Sequence, residues 1–291
     1  MKVLVTGANG QVGMELRRAA AKGVRVLAYG ASEFDVTDAA CASAIMDRDR
    51  PDCVINCAAY TNVDGAEADP DLAYAVNELG CRNVAHACEA RSIPLVHVST
   101  DYVFDGRSTT PYTETDTTAP LNVYGASKLA GEDAIQEVLE THAILRVSWI
   151  FGNIGRSFVD TMLRLGAERD ELRVVDDQIG APCSARAVAS ALLEISRCLT
   201  ADPGTSGIYH GTSEPAVSWF GFAREIFAVA ERLGILAKSP RVIPIPTSEF
   251  PAPAARPKYS VLSGERLRSV CGVHPSDWRA ELMDSLKART A

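Results

Sequence analysis

The strongest constraint on the fold is a regular alternation of short apolar runs and amphipathic segments across residues 1–151. The apolar runs have strand length and are predicted strands, at residues 2–6, 24–29, 53–59, 95–100 and 143–151. The segments between them have helical periodicity and are predicted helices, at residues 11–21, 39–48, 71–90 and 124–140. Because strands that alternate with helices are joined by right-handed parallel crossovers, the sequence predicts an α/β fold with a doubly wound parallel sheet of the Rossmann type.

The alternation becomes looser after residue 151. Short strands are predicted at 173–175 and 208–210, and helices at 157–168, 184–198 and 278–287, with Ser218 as the N-cap of another helix. Six prolines between 240 and 257 predict an irregular stretch. We expect a smaller C-terminal α/β domain that the chain enters more than once. The main domain is predicted at residues 1–151 and about 177–212, and the smaller one at about 152–176 and 213–291.

A glycine-rich turn follows the first predicted strand directly. It runs from Gly7 through Gly10 to Gly13, with Gln11 and Val12 opening the predicted helix. Glycines allow a tight turn and a close approach of the backbone to a pyrophosphate, and the free N–H groups of the helix terminus bind the anion. Its position between a strand and an amphipathic helix predicts a dinucleotide site.

The segment after the second predicted strand bears on the choice of cofactor. An acidic residue at this point commonly binds the ribose 2′-hydroxyl of NAD, but residues 28–32 contain none. Its absence removes repulsion against a 2′-phosphate. No obvious arginine clamp for that phosphate is present, although Arg17 could reach it. NADPH and NADH both stay open, and NADPH is favoured.

A catalytic group for carbonyl reduction is suggested by two segments. Thr100 and Asp101 end the fourth strand, and Tyr124 and Lys128 lie four residues apart on the next helix, so they share one face. Reduction requires a proton at the carbonyl oxygen, which a tyrosine can donate. A nearby ammonium would lower the pKa of that tyrosine, and Thr100 could hold the oxygen by a hydrogen bond.

Composition argues against several other classes of protein. The net charge is −8 without a basic stripe, so nucleic acid is not an expected partner, and no apolar run is long enough to span a membrane. The sequence shows no signal peptide, and eight scattered cysteines without a C-x-x-C pair favour a reducing cytoplasm. The histidines show no ligand spacing, so no metal site is predicted, and His97 is interpreted as a core residue.

Several local motifs are more specific than the fold. They are Asn-Cys-Ala-Ala-Tyr-Thr at 56–61, Ser-Thr-Asp-Tyr-Val-Phe at 99–104, Pro-Leu-Asn-Val-Tyr-Gly at 120–125, Leu-Arg-Val-Ser-Trp at 145–149, Asp-Gln-Ile-Gly-Ala-Pro at 177–182 and Arg-Pro-Lys-Tyr-Ser at 256–260. With these motifs the chain resembles, from end to end, the dTDP-4-dehydrorhamnose reductase family of extended short-chain dehydrogenases. The resemblance implies reduction of the C4 ketone of a nucleotide-linked 6-deoxy-4-keto-hexose by NADPH or NADH, with dTDP-4-dehydro-L-rhamnose giving dTDP-L-rhamnose.

The resemblance also assigns residues to the cofactor. Gly10, Gln11 and Val12 would contact the pyrophosphate region, and Asp35 and Val36 would lie near adenine. The end of the third strand would border the cofactor through Ala59, Tyr60 and Thr61. Tyr124 would donate the proton, and Lys128 would also hold the nicotinamide ribose.

For the substrate, the resemblance implies contacts from Thr100, Asp101 and Trp149, although Trp149 could also be a core aromatic residue. Arg256 and Lys258, in the proline-rich stretch, either bind the nucleotide diphosphate or are solvated surface charges. Asn77 either supports the site by hydrogen bonds or ties its helix to the sheet. The smaller domain would thus bind the sugar nucleotide.

Other assignments stay open at this point. A related 4-keto-sugar-nucleotide reductase would carry the same chemistry with a different hexose pocket, and a cofactor-binding regulatory subunit would share the fold without the activity. The resemblance adds Mg²⁺ as a candidate ion, for which the sequence identifies no ligands. The oligomeric state is undetermined, with a homodimer as one candidate.

Overall fold

The computed structural model describes residues 1–19, 23–155 and 157–289. Its strands in chain order are β1 (Lys2–Thr6), β2 (Arg25–Ala28), β3 (Cys53–Asn56), β4 (Leu95–Thr100), β5 (His142–Val147), β6 (Ile150–Phe151), β7 (Glu171–Val175), β8 (Ile179–Gly180), β9 (Cys183–Ser184), β10 (Gly207–Gly211), β11 (Ser213–Glu214), β12 (Val217–Ser218), β13 (Arg241–Ile245) and β14 (Ser276–Asp277). The largest sheet has six parallel strands in the order β10-β5-β4-β3-β1-β2. This confirms the predicted doubly wound parallel sheet.

Helices cover both faces of this sheet. In chain order the α-helices are α1 (Gln11–Arg18), α2 (Ala39–Asp49), α3 (Val63–Ala68), α4 (Pro70–Tyr74), α5 (Gly80–Glu89), α6 (Val123–Val138), α7 (Phe158–Glu168), α8 (Ala185–Ala201), α9 (Trp219–Arg232), α10 (Glu265–Cys271) and α11 (Trp278–Lys287). Short 3₁₀ turns occur at Asp101–Val103, Pro203–Thr205 and Thr247–Glu249. The predicted helix 11–21 ends at Arg18, and its residues 20 and 21 lie outside the described part of the chain.

Side chains from alternate strand positions enter two cores. Val3 and Val5 of β1 pack with α1 and α8 on one face, while Leu4 packs with α2 and α5 on the other. Strands covered on both faces are mostly apolar, as Cys53–Ile55 of β3 are. Burial of each such aliphatic side chain stabilises the fold by about 1.5–3 kcal/mol.

The long helix predicted at 71–90 is interrupted. Between α4 and α5 lies one π-helical turn, Ala75–Leu79, in which the extra residue changes the direction of the side chains. Asn77 in this turn is fully buried, and its amide bonds to the backbone N–H and C=O of Tyr60 at 2.8 and 3.1 Å and to the Ser127 hydroxyl at 3.0 Å. Asn77 therefore holds the segment after β3 and also ties the π turn to α6.

Two predicted strands end earlier than expected. The third stops at Asn56 instead of residue 59, and the fifth stops at Val147 instead of 151. Trp149 has a φ of 46°, a left-handed conformation that cannot continue a pleated strand. The chain turns there, and β6 pairs with β9 in a separate two-stranded sheet.

A further core lies in the last half of the chain. It contains Phe222, Phe227 and Trp278 from α9 and α11, packed with α7 and β7. Strand β13 pairs parallel with β7 and includes Pro244, within the stretch predicted to be irregular. Proline is tolerated because β13 is an edge strand, where its missing N–H leaves no partner unbonded. The domain limits of the sequence analysis stay a prediction.

Candidate active site

One cavity of about 730 Å³ opens at the carboxyl ends of β1, β3, β4 and β5. All of the residues predicted to bind the cofactor line it, namely Gly7, Gly10, Gln11, Val12, Gly13, Asp35, Val36, Ala59, Tyr60, Thr61, Tyr124 and Lys128. Thr100, Asp101 and Trp149 line the same cavity. Open α/β sheets bind ligands at this edge, so the predicted cofactor and substrate residues meet where a bound ligand is expected.

The glycine turn at one end of the cavity fits a pyrophosphate. Gly7 has a φ of 65°, and a Cβ there would lie 2.6 Å from the backbone nitrogen of Ala58. Gly10 is the N-cap of α1, and no side chain of the described residues caps this terminus. The N–H groups of the first turn are therefore left for an anion in the cavity.

At the part of the cavity where the resemblance predicts adenine, the Asp35 side chain is held by local hydrogen bonds. The Asp35 carboxylate accepts hydrogen bonds from the backbone and the hydroxyl of Thr37, at 2.9 and 2.7 Å, which hold the pKa of Asp35 below its ordinary value. Arg17 lies in the last turn of α1 and does not line the cavity.

The helix that carries the catalytic candidates approaches the sheet closely. Asn122 caps α6 by accepting from the N–H of Gly125 at 2.7 Å. A Cβ at Gly125 would lie 2.2 Å from the carbonyl oxygen of Tyr102, so only glycine permits this approach. The first two turns of α6 then place Tyr124 and Lys128 on the cavity wall.

The electrostatics of Tyr124 differ from the prediction. Burial raises its pKa to about 12, a hydrogen bond with Thr100 lowers it in part, and the nearby Asp101 raises it further. Contrary to the prediction, Lys128 does not lower the pKa of Tyr124. Its amine bonds instead to the Val98 carbonyl at 2.7 Å and contacts His97 Nε2 at 2.9 Å. The phenol therefore keeps its proton at neutral pH, as a proton donor must.

Asp101 is a buried carboxyl beside the two catalytic candidates. The Thr100 hydroxyl donates to its Oδ1 at 3.1 Å, and burial raises the pKa of Asp101 to about 7 against the lowering by the Thr100 and Ser260 hydroxyls. Near neutral pH this side chain is present in both protonation states, so it can bond to a hydroxyl of a ligand as donor or acceptor.

The raised pKa of Asp101 predicts a pH-dependent stability. An unfolded aspartate ionises near pH 4, so folding becomes less favourable as pH rises from about 4 to 7, where the buried carboxyl also ionises. The Asp101→Asn variant has no carboxyl to ionise at this position, so its stability does not fall in this way as the pH rises. We expect its advantage in unfolding free energy over the parent to grow by roughly 2–3 kcal/mol between about pH 5 and pH 8. Urea unfolding at the two pH values measures this, and an advantage independent of pH would contradict it.

Two stacked indoles form part of the cavity wall. Trp149 and Trp219 lie with ring centroids 3.5 Å apart and planes at 10°, and both line the cavity. Sequence reasoning did not identify Trp219, which directly follows the helix cap Ser218. It also did not assign a role to Tyr102, which lines the cavity and packs edge-to-face on Tyr124 at 5.7 Å.

Arg256 and Lys258 do not line the cavity. The Arg256 guanidinium pairs with Asp64 at 2.9 Å and forms a hydrogen bond with Tyr102, a residue that does line the cavity. Lys258 is exposed, and its carbonyl accepts from the N–H of Ile179 at 2.7 Å. Binding of a nucleotide diphosphate by these side chains stays a prediction.

The described residues contain no group of three or more His, Cys, Asp or Glu side chains that could hold a metal ion, so the structure gives Mg²⁺ no support. Within the same ranges, every helix is too short or too polar to cross a bilayer.

Comparison with known proteins agrees with the geometry. The RmlD substrate binding domain family matches residues 1–290. A dTDP-4-dehydrorhamnose reductase from Burkholderia thailandensis is 45% identical over 287 residues, which cover 96% of each chain. The crystal structure of such a reductase from Clostridium acetobutylicum superposes with a TM-score of 0.93 at 38% identity, covering 100% of both chains. The crystal structure of a dTDP-4-dehydrorhamnose reductase from Bacillus anthracis, in complex with NADP, superposes with a TM-score of 0.90 at 37% identity, covering 99% of both chains. The chain therefore belongs to the dTDP-4-dehydrorhamnose reductase family.

Proposed function

We propose that this protein reduces the C4 ketone of dTDP-4-dehydro-L-rhamnose to give dTDP-L-rhamnose, with NADPH as the preferred cofactor. The observation that carries the proposal is the meeting of Thr100, Tyr124 and Lys128 at one cavity with the glycine turn. A cofactor-binding regulatory subunit would need the turn but not these three side chains. A homodimer and a cytoplasmic location stay predictions.

In this proposal, one side chain donates the proton and the others position the substrate. Bound NADPH supplies the hydride. Tyr124, still protonated at neutral pH, donates its proton to the carbonyl oxygen, which the Thr100 hydroxyl holds by a hydrogen bond. Asp101 bonds to a hydroxyl of the sugar, and the indole of Trp149 borders the hexose. Burial of this group excludes water and strengthens each of these bonds.

A panel of 4-keto sugar nucleotides tests the proposal. Each compound is incubated with the enzyme and NADPH, and cofactor oxidation is followed by absorbance. We expect the highest kcat/KM with dTDP-4-dehydro-L-rhamnose. A higher value with another 4-keto hexose would identify a related reductase, and NADPH binding without turnover of any compound would indicate a regulatory subunit.

The cofactor preference gives a separate prediction. Ala31 lines the cavity just after β2, and the carboxylate nearest to it in sequence, Glu33, accepts from the N–H of Gly30 at 3.1 Å. Ala31→Asp should weaken NADPH more than NADH, by about tenfold in the ratio of kcat/KM values, because a carboxylate repels the 2′-phosphate. Ala31→Asn, of the same size without the charge, is the control. A parent enzyme that uses NADH a hundredfold better than NADPH would contradict the preference.

A further inference from the structure

The amine of Lys128 lies in a fully buried hydrogen-bonded chain that the reaction does not explain. Its Nζ donates to the carbonyl oxygen of Val98 at 2.7 Å and lies 2.9 Å from Nε2 of His97. Nδ1 of the same imidazole lies 3.2 Å from Nδ2 of Asn56. All three side chains are at most 1% exposed, so each of their hydrogens needs an acceptor within the protein.

The orientation of the Asn56 amide is fixed by its neighbours. Its Oδ1 accepts from the Thr6 hydroxyl at 2.6 Å and from the backbone N–H of Ala58 at 3.2 Å. Its Nδ2 faces His97 Nδ1 and also the Cys81 sulfur at 3.6 Å, so both amide hydrogens have acceptors. The Asn56 amide therefore donates to Nδ1 of His97.

This orientation determines where the imidazole carries its proton. Complete burial lowers the pKa of His97 far below its ordinary value, whatever the charge on Lys128, so the ring is neutral and has one N–H. Because Nδ1 accepts from Asn56, that proton lies on Nε2 and points at the Lys128 amine. An ammonium has no lone pair to accept it, whereas a neutral amine does.

The charges around Lys128 lead to the same conclusion. The Glu132 carboxylate, which acts electrostatically on Lys128, is already paired with the Arg146 guanidinium at 2.6 Å. The thiols of Cys57 and Cys81 also face the amine, and burial raises their pKa values to about 12 and about 11, so both are neutral at neutral pH. Among the described residues an ammonium here would be a buried charge without its own counterion, which is costly.

We propose that Lys128 is an uncharged amine in the cofactor-free enzyme, held by the Nε2–H of His97, and that it takes up one proton from solvent when the anionic cofactor binds. The inference rests on the proposed function only in that the cofactor enters this cavity. A pyrophosphate at the glycine turn of the same cavity would favour the charged form of the lysine. His97 is thus a positioning residue, which determines the place and the charge of the amine next to Tyr124.

Calorimetric titration with NADPH at about pH 8, in buffers of different ionisation enthalpy, measures affinity and proton uptake together. We expect uptake of about one proton per cofactor, since the shift in Lys128 charge is linked to binding. Lys128→Met should abolish the uptake. Asp101→Asn should keep it, which excludes the Asp101 carboxyl as the source, and His86→Gln, at an exposed side chain, controls for a general effect of substitution. A titration with NADH excludes the 2′-phosphate.

A second measurement needs no cofactor. Long-range ¹H–¹⁵N spectra of histidine-labelled enzyme report the tautomer of each ring, and His97→Gln assigns the relevant signals. The Nε2–H tautomer supports the inference, and the Nδ1–H tautomer would overturn it, as would cofactor binding without proton uptake or uptake that survives in Lys128→Met. Failure of NADPH to bind would count against the proposed function, while the tautomer would still decide the inference.

Discussion

Tyr124→Phe is expected to lower kcat by a factor of about 10² to 10⁴ while the affinity for NADPH changes little. The substitution removes one hydroxyl and leaves the ring packed edge-to-face on Tyr102. Only the proton donor is lost, because the phenol, with a pKa raised to about 12, is the group that holds a proton beside Thr100. Stopped-flow turnover with dTDP-4-dehydro-L-rhamnose and fluorescence titration of NADPH measure the two effects separately.

The matched control is Tyr102→Phe, which removes another phenol of the cavity, the one packed on Tyr124. Its hydroxyl bonds to Arg256, so we expect a much smaller loss of kcat than for Tyr124→Phe. Thermal unfolding of both variants shows whether they are folded. A Tyr124→Phe enzyme with near-parental kcat would remove Tyr124 from the proposed mechanism.

Lys128→Met is expected to reduce both kcat and the affinity for the cofactor. The amine is the only part of the side chain that can bond to a ribose hydroxyl or stabilise negative charge on Tyr124 once the cofactor is bound. A hydrogen bond with a charged group contributes about 1.5–3 kcal/mol, so the Kd for NADPH should rise by about ten- to a hundredfold. Methionine preserves most of the length of the buried side chain, which limits the cost to folding.

Lys238→Met, at an exposed lysine, controls for a general effect of lost charge. Titration of NADPH by fluorescence gives the Kd of each variant, and turnover at saturating cofactor gives kcat. An unchanged Kd in Lys128→Met would remove the ribose contact from the mechanism, and an unchanged kcat would remove its effect on Tyr124.

The electrostatic environment of Tyr124 connects these predictions with the inferred charge of Lys128. In the cofactor-free enzyme the lysine does not lower the pKa of Tyr124, and the phenol is held protonated. If the lysine becomes charged when the cofactor binds, its stabilisation of the phenolate begins only in the complex. Proton donation is then favoured only when the cofactor is present.

Much of the fold could be predicted because its signals are local. The period of the apolar residues identified five strands of the main sheet, and alternation with helices identified their parallel arrangement. The sixth strand, β10, was predicted only as a short strand at 208–210. The cofactor and catalytic residues could also be predicted as candidates, because strand ends and helix starts of a parallel sheet meet at one edge. Their convergence on one cavity agrees with that expectation, and their roles await the experiments above.

The sequence by itself therefore determined the sheet, the glycine turn and the positions of Thr100, Tyr124 and Lys128 along it, since each depends on neighbours within about one turn or strand. Tertiary structure decided what depends on distant contacts. The left-handed Trp149 ends β5 and stacks on Trp219, seventy residues away in sequence, and Arg256 pairs with Asp64 outside the cavity. His97, interpreted from sequence as a core residue, is buried as expected, yet its partner is the Lys128 amine of another element. The burial and charge of these side chains depend on residues that are far away in sequence. Sequence periodicity does not show which distant residues meet, so these contacts appear only in the folded chain.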